Sequence, residues 1–236
     1  MSKYIKLIAL RKRGFHEIPH TDSIRMLMLQ AHNAVRNRVA LSRAVGPVAD
    51  MNALAWDYEL EEMARMRLTD CEETPTICPM NLYNDDMVLA GENSLTIYSL
   101  VFPKHFASQV LRQWFFQARY TRLYDLENGL LPSHANAFTQ VAWSLSKRVG
   151  CAANKFRYPR KGYRMLCYYM PAGNVVKQPV FERGIVCTDC EGVPCSKLYI
   201  GLCGRFTNLP NISSHFVLIP LMYFVASFII KIINVD

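Results

Sequence analysis

Apolar positions recur on two different periods along this chain, and the change of period marks out its elements. Ile24, Leu27, Met28, Ala31, Val35 and Val39 follow one another in steps of three and four, the spacing of one helical face. Asp22 or Ser23 can cap that helix, and Gly46 with Pro47 ends the region. His32, Asn33 and Arg36 ride on it, where packing and hydrogen bonds between elements are a simpler use than chemistry. A second stripe of Leu60, Met63, Ala64, Arg67, Leu68 and Cys71 follows Asp57, another natural cap. Glu59, Glu61 and Glu62 then sit near the positive end of the helix dipole, which reads as helix-start electrostatics rather than paired catalytic carboxylates. A third helix is expected from about Lys104 to Tyr124, burying Phe106, Val110 and Trp114 and carrying Gln117 on its inner side.

Two later segments show period two. Phe138 to Leu145 sets Thr139, Val141, Trp143 and Leu145 against Gln140, Ala142 and Ser144, which predicts a half-buried strand. Met165, Cys167 and Tyr169 mark a second strand, broken by the turn residues Pro171 to Asn174. A cysteine at the end of one strand and another inside the next predict a Cys151–Cys167 bridge between neighbours.

Composition adds a size and a compartment. The 236 residues, 51% hydrophobic and 19% charged, suffice for one good-sized domain with appendages. A net charge of +8 suits acidic surfaces such as nucleic acid, anionic lipid or sulfated glycan. The basic residues form only short clusters, Arg11 to Arg13 and Arg157, Arg160, Lys161 and Arg164, which read as solvated faces; no nucleic-acid partner is expected. The eight cysteines imply disulfides and an oxidising compartment. Cys187, Cys190, Cys195 and Cys203 include one C-x-x-C, but uneven spacing and the lack of histidine favour a disulfide-knotted extension over a zinc knuckle.

The ends pull in different directions. Tyr4 to Leu10 is a short apolar run interrupted by Lys6, with basic residues after it, the wrong order for a signal sequence. Either the sequence starts downstream of the true N-terminus or export follows an unconventional route. Residues 205–236 read as a stalk, holding the glycosylation sequon at Asn211, and a hydrophobic tail. Within residues 216–233, Phe216 to Ile230 is uncharged and Lys231 follows, a little short of the ~20 residues that a spanning helix needs. A membrane anchor leads the readings of this tail, with a glycolipid signal and a docked helix as alternatives.

Read together, the motifs resemble the CAP superfamily of cysteine-rich secretory, antigen-five and pathogenesis-related proteins. They are H-N-A-V-R at His32, A-W-D-Y-E-L at Ala55, G-E-N at Gly91, F-T-Q-V-A-W at Phe138 with R-V-G-C after it, and Y-M-P-A-G-N at Tyr169. The continuation P-V-F-E-R-G-x-x-C-x-x-C is most similar to the insect antigen-five, venom-allergen-like branch. The resemblance implies an α+β fold, a three-layer α-β-α sandwich over residues 22–182, after a lead-in at 1–21 and before a small cysteine-rich extension at 183–204. It also implies an extracellular or cell-surface protein.

Many members of that family hold a divalent metal with two histidines and two glutamates. Matched one at a time, Pro75 stands at the first histidine position between Cys71 and Cys78, and Glu92 keeps the glutamate of G-E-N. Gln117 replaces the second glutamate and Ala137 the second histidine. His134, three residues upstream on an expected extended segment, is ~10 Å away and faces the other side. The resemblance also leaves Cys71 and Cys78 without their usual N-terminal partners, so either the N-terminus is incomplete or the two pair together. The expectation is a binding protein with no cofactor, a degenerate cleft, and a lipid, sterol or extracellular protein surface as partner. A protease-like or metal-dependent enzyme is the alternative, but Glu92 with Ser94 or Thr139 lacks a histidine base.

Overall fold

Two strands covered on both faces form the centre of the molecule. The computed structural model describes residues 16–19, 21–70, 89–103, 105–157 and 160–205. In it β4 (Arg148–Phe156) and β5 (Gly162–Met170) pair antiparallel with Cys151 directly opposite Cys167. Almost every residue of both strands is buried, the near-continuous apolar run of strands packed on two sides. The edge strand β3 (Gly91–Tyr98) lies antiparallel to β5, with Glu92 opposite Tyr168. The short β1 (His16–Glu17) lines the other edge against β4, and β2 (Ala55–Trp56) runs parallel to the start of β4.

Alternation along β5 deals side chains to two layers. Met165, Cys167 and Tyr169 enter a large core shared with helices α1 (Asp22–Ala40), α3 (Phe106–Phe116) and α5 (Asn136–Ala142). Leu166, Tyr168 and Met170 enter a smaller one with Leu60 and Ala64 of α2 (Tyr58–Asp70). This is the three-layer α-β-α sandwich. Helix α1 is capped not by Asp22 or Ser23 but by Thr21, whose Oγ1 accepts the amide of Ile24 at 3.4 Å. Helix α2 begins after Asp57, whose Oδ1 accepts the amides of Glu59 and Leu60 at 2.9 and 3.1 Å. Its first turn sits directly on β4.

The strand expected at Phe138 to Leu145 is instead helix α5, and Cys151 lies inside β4 rather than at the end of that segment. Residues 138–144 are buried on every side, so no amphipathic stripe distinguishes a helix from a strand. Thr139, a β-branched residue, is accommodated by donating its hydroxyl to Asn174 Oδ1 at 2.6 Å, close to the carbonyls of Ala135 and Asn136 one turn back. The third helix is shorter than expected. It passes at Gln117 into a 3₁₀ turn (Gln117–Tyr120), the backbone extends at Thr121, and α4 (Leu123–Glu127) starts afresh. His134 also lies on a 3₁₀ turn (Ser133–Ala135), not an extended segment, and packs edge-on against Tyr120 at 5.0 Å.

Disulfides join Cys151 to Cys167, Cys187 to Cys195 and Cys190 to Cys203. The cysteine-rich extension docks through its backbone. The Cys203 amide donates to Met51 O at 2.7 Å, its carbonyl accepts from Ala53 N at 2.8 Å, and Gly201 N donates to Asn37 Oδ1 at 2.7 Å. The lead-in before residue 16, Cys71, Pro75, Cys78, Asn211 and the tail at 216–233 all lie outside the described residues. Among the described residues no helix is long and apolar enough to cross a membrane.

Candidate functional site

A buried polar chain runs from the edge of the sheet into α1. Asn93 Nδ2 donates to Ala137 O at 2.9 Å and to the Tyr169 hydroxyl at 3.4 Å. The Tyr169 hydroxyl lies 2.9 Å from His32 Nε2, and His32 Nδ1 lies 2.8 Å from Met28 O. A carbonyl only accepts, so Nδ1 carries the proton and Nε2 accepts from Tyr169. Burial, aided by the charge of Arg36, lowers the His32 pKa to about 4, so the ring is neutral at physiological pH. Arg36 is fully enclosed and donates to the carbonyls of Asn52, Val141, Trp143, Ser144 and Ser146 at 2.7–3.1 Å. Burial lowers its pKa to about 9, which still leaves it charged at neutral pH. Asn33 Nδ2 donates to Leu54 O at 2.9 Å and its Oδ1 accepts the Leu54 amide at 2.8 Å, so His32, Asn33 and Arg36 of the H-N-A-V-R motif are structural ties.

The cleft positions named from the sequence do not converge. Gln117 and Ala137 are neighbours, but the Gln117 side-chain carbonyl accepts the amides of Ala137 and Phe138 at 3.0 and 3.3 Å and so fastens α5 to the end of α3. Glu92 turns the other way along the β3 alternation. Its Oε2 accepts the Tyr168 hydroxyl at 2.9 Å and lies 3.7 Å from Arg67 Nε of α2. Burial beside this carboxylate pushes the Tyr168 hydroxyl pKa up. The Pro75 position lies outside the described residues. Among the described residues, the groupings of metal-ligand type tight enough for one ion are His32 with Cys151 and Cys167, and Cys187 with Cys190 and Cys203. Every one of those sulfurs is in a disulfide.

Sequence reasoning missed an apolar cavity of about 230 Å³ between the C-terminal half of α1 and the α3–α4 connection. Val39, Phe115, Leu126 and Phe138 form its buried floor. Arg38 and Arg119 stand at its walls. Arg119 lies over the Phe116 ring at 3.8 Å, whereas Arg38 Nε is buried with no hydrogen-bond partner among the described residues. No period in the sequence marks such a site, because Arg38 falls on the half-exposed flank of α1 as any solvated arginine would. Glu61 does more than meet the helix dipole: it accepts two bonds from Arg25 at 2.7 and 2.8 Å and one from Trp56 Nε1 at 2.8 Å.

An α-β-α sandwich with this motif set and a disulfide-bridged extension defines a class, and comparison with known proteins assigns it. The model of the CAP, cysteine-rich secretory protein family matches residues 29–169, and the chain belongs to that family. It is 29% identical over 200 residues to venom allergen 5 of Tityus serrulatus, a match that spans 76% of this chain but only 47% of that relative. It is 27% identical over 173 residues to GLIPR1-like protein 1 of Mus musculus, covering 71% of this chain and 67% of the relative. Among solved structures it resembles NaASP2 with Zn2+, at 26% identity and a TM-score of 0.58 over 76% of this chain and 94% of that one.

Proposed function

We propose that the protein is a non-enzymatic extracellular binding module that takes a single-chain amphiphile with an anionic head, a fatty acid or a close analogue. The observation that carries this reading is Arg38 Nε, buried at the wall of an apolar cavity and unpartnered among the described residues. An unsatisfied buried donor costs about 1–3 kcal/mol, and more where the group is charged, so an acceptor arriving there gains what the free protein forgoes. A volume of about 230 Å³ is below the usual range of ~300–1,000 Å³ for drug-sized ligands, which favours one acyl chain over a sterol.

The family's metal chemistry does not fit the residues present. A methyl group at Ala137, an amide oxygen at Gln117 already accepting two amides and a carboxylate at Glu92 held by Tyr168 offer one anionic ligand, and it faces elsewhere. Enzymatic readings lose their candidates too. The Thr139 hydroxyl is spent on Asn174 Oδ1, and His32 has both ring nitrogens engaged in the core.

Titration with dansyl-labelled undecanoic acid, followed by displacement with unlabelled fatty acid, tests this. Saturable binding is expected, weakened about tenfold by Arg38→Met and abolished by Ala118→Trp, which fills the cavity. Binding that neither substitution alters, or no saturable binding at all, would overturn the reading.

A further inference from the structure

One end of the sheet carries charge of a single sign beside apolar side chains that are largely exposed among the described residues. No Asp or Glu occurs from Asn93 to Tyr124, nor from Asn128 to Phe181. The hairpin end of β4 and β5 therefore presents exposed Lys155, Arg157, Arg160 and Lys161, with half-exposed Arg164, free of any carboxylate of its own. Glu17 on the adjoining β1 lies 3.7 Å from Arg65.

The loop after β3 emerges among these cations. Leu100 is 78% exposed and Val101 74%, while Phe102 is half inserted between Phe106 and Tyr163, with ring centroids 5.2 Å away in both cases. The loop is held in this pose. Ser99 Oγ donates to Val101 O at 2.7 Å, and Lys161 Nζ donates to Leu100 O. Tyr98, also exposed, lies under the guanidinium of Arg160 at 4.6 Å. A preorganised turn thus directs two aliphatic side chains outward beside Lys161 and Arg160, with an amphipathic aromatic at the boundary.

We propose that this end of the sheet docks on the surface of an anionic phospholipid bilayer. Leu100 and Val101 enter the boundary between headgroups and acyl chains, Tyr98 lies at headgroup level, and the cations meet lipid phosphates and carboxylates. A solvated face accounts for the charges but not for two aliphatic residues held in water. A soluble polyanion such as heparin would satisfy the cations and leave the same residues exposed, so the lipid surface accounts for both features. The inference is independent of the acyl-chain cavity, which lies at the other end of α3's helical connection and uses none of these residues.

Co-sedimentation of the full chain with vesicles of phosphatidylcholine, alone and with phosphatidylserine added, is the test. Residues 216–233 are common to every variant, so differences between variants report on the substituted positions. Stronger binding to the phosphatidylserine vesicles is expected, falling as salt rises. The pair Arg160→Ala and Lys161→Ala should weaken it about 25-fold, roughly fivefold per cation. The pair Leu100→Ser and Val101→Ser should weaken it about tenfold or more. Arg38→Met should bind vesicles as the wild type does, which separates this surface from the cavity. Equal binding to both vesicle types would overturn the proposal. So would a serine pair that binds like wild type while soluble heparin displaces the protein, because that result assigns the surface to a polyanion.

Discussion

His32 is an imidazole whose surroundings forbid its charge. It is fully buried, its Nδ1–H is committed to Met28 O, its Nε2 accepts from Tyr169, and the cationic Arg36 lies one turn along α1. The folded pKa of about 4 is below the unfolded value of about 6.5, so between those limits the unfolded chain binds a proton that the native state refuses. Stability is therefore complete above about pH 6.5 and falls as pH drops toward 4, by on the order of 3 kcal/mol. Asp50, whose carboxyl pKa burial raises, acts in the opposite sense, since its protonated form is favoured in the fold and its contribution fades as pH rises. Urea unfolding across this range should show the midpoint falling with pH in the wild type. A His32→Gln protein, lower in stability throughout, should show a shallower fall. An unchanged slope in that variant would assign the acid sensitivity to another group. At this scale the sequence was informative about place and silent about partners: the helical period put His32, Asn33 and Arg36 on α1, but the five carbonyls that Arg36 gathers come from residues up to 110 positions away.

Between elements, the tightest approach is that of α2 to β4 at Gly150. A Cβ built there would lie 2.2 Å from the Glu61 amide nitrogen and 2.5 Å from Asp57 O, backbone atoms fixed by the first turn of the helix. Gly150→Ala should cost about 3 kcal/mol or more and lower the melting temperature by roughly 10 °C. Gly192 provides the contrast, with φ +78° and nothing within 4 Å of a built Cβ. Alanine there meets only backbone strain of about 1 kcal/mol. Calorimetry on the two proteins separates close packing from conformational preference, and equal losses would refute the steric account. The motif R-V-G-C owes its glycine to this contact. Helices with one wet face, such as α1 and α2, and β5, whose residues alternate between two cores, were readable from their periods. Helix α5 was not, because it is seven residues long and buried throughout from Phe138 onward, so the local alternation of Thr139, Val141 and Trp143 imitated a strand. The same enclosure hid the fate of Gln117 and Ala137, which the motif comparison placed in a cleft and the packing turned into a fastening between α3 and α5.

Across the whole molecule, charge is sorted along the length of β4. The cations of the hairpin gather at its Phe156 end, whereas Asp50, Glu182, Asp189 and Glu191 line a cavity beside the extension at its Arg148 end. The extension is held to that end by few apolar groups, chiefly Tyr199 and Leu202, and by backbone bonds through Gly184, Asp189, Gly201 and Cys203. Covalent closure adds to these ties. The Cys190–Cys203 bridge spans 13 residues, and closing a loop of that length stabilises by about 3 kcal/mol through the entropy it removes from the unfolded chain. Replacing both cysteines with serine should cost about that much, and it should cost it unevenly. The sandwich keeps its own bridge between β4 and β5 and both of its cores, so residues 183–204 should open first. Limited proteolysis followed by mass spectrometry should find cuts confined to the extension under conditions where residues 22–182 stay intact. Simultaneous cleavage of both regions would mean that the extension is an integral part of the sandwich, and that Cys203, through Met51 and Ala53, holds the loop carrying Asn52 under Arg36.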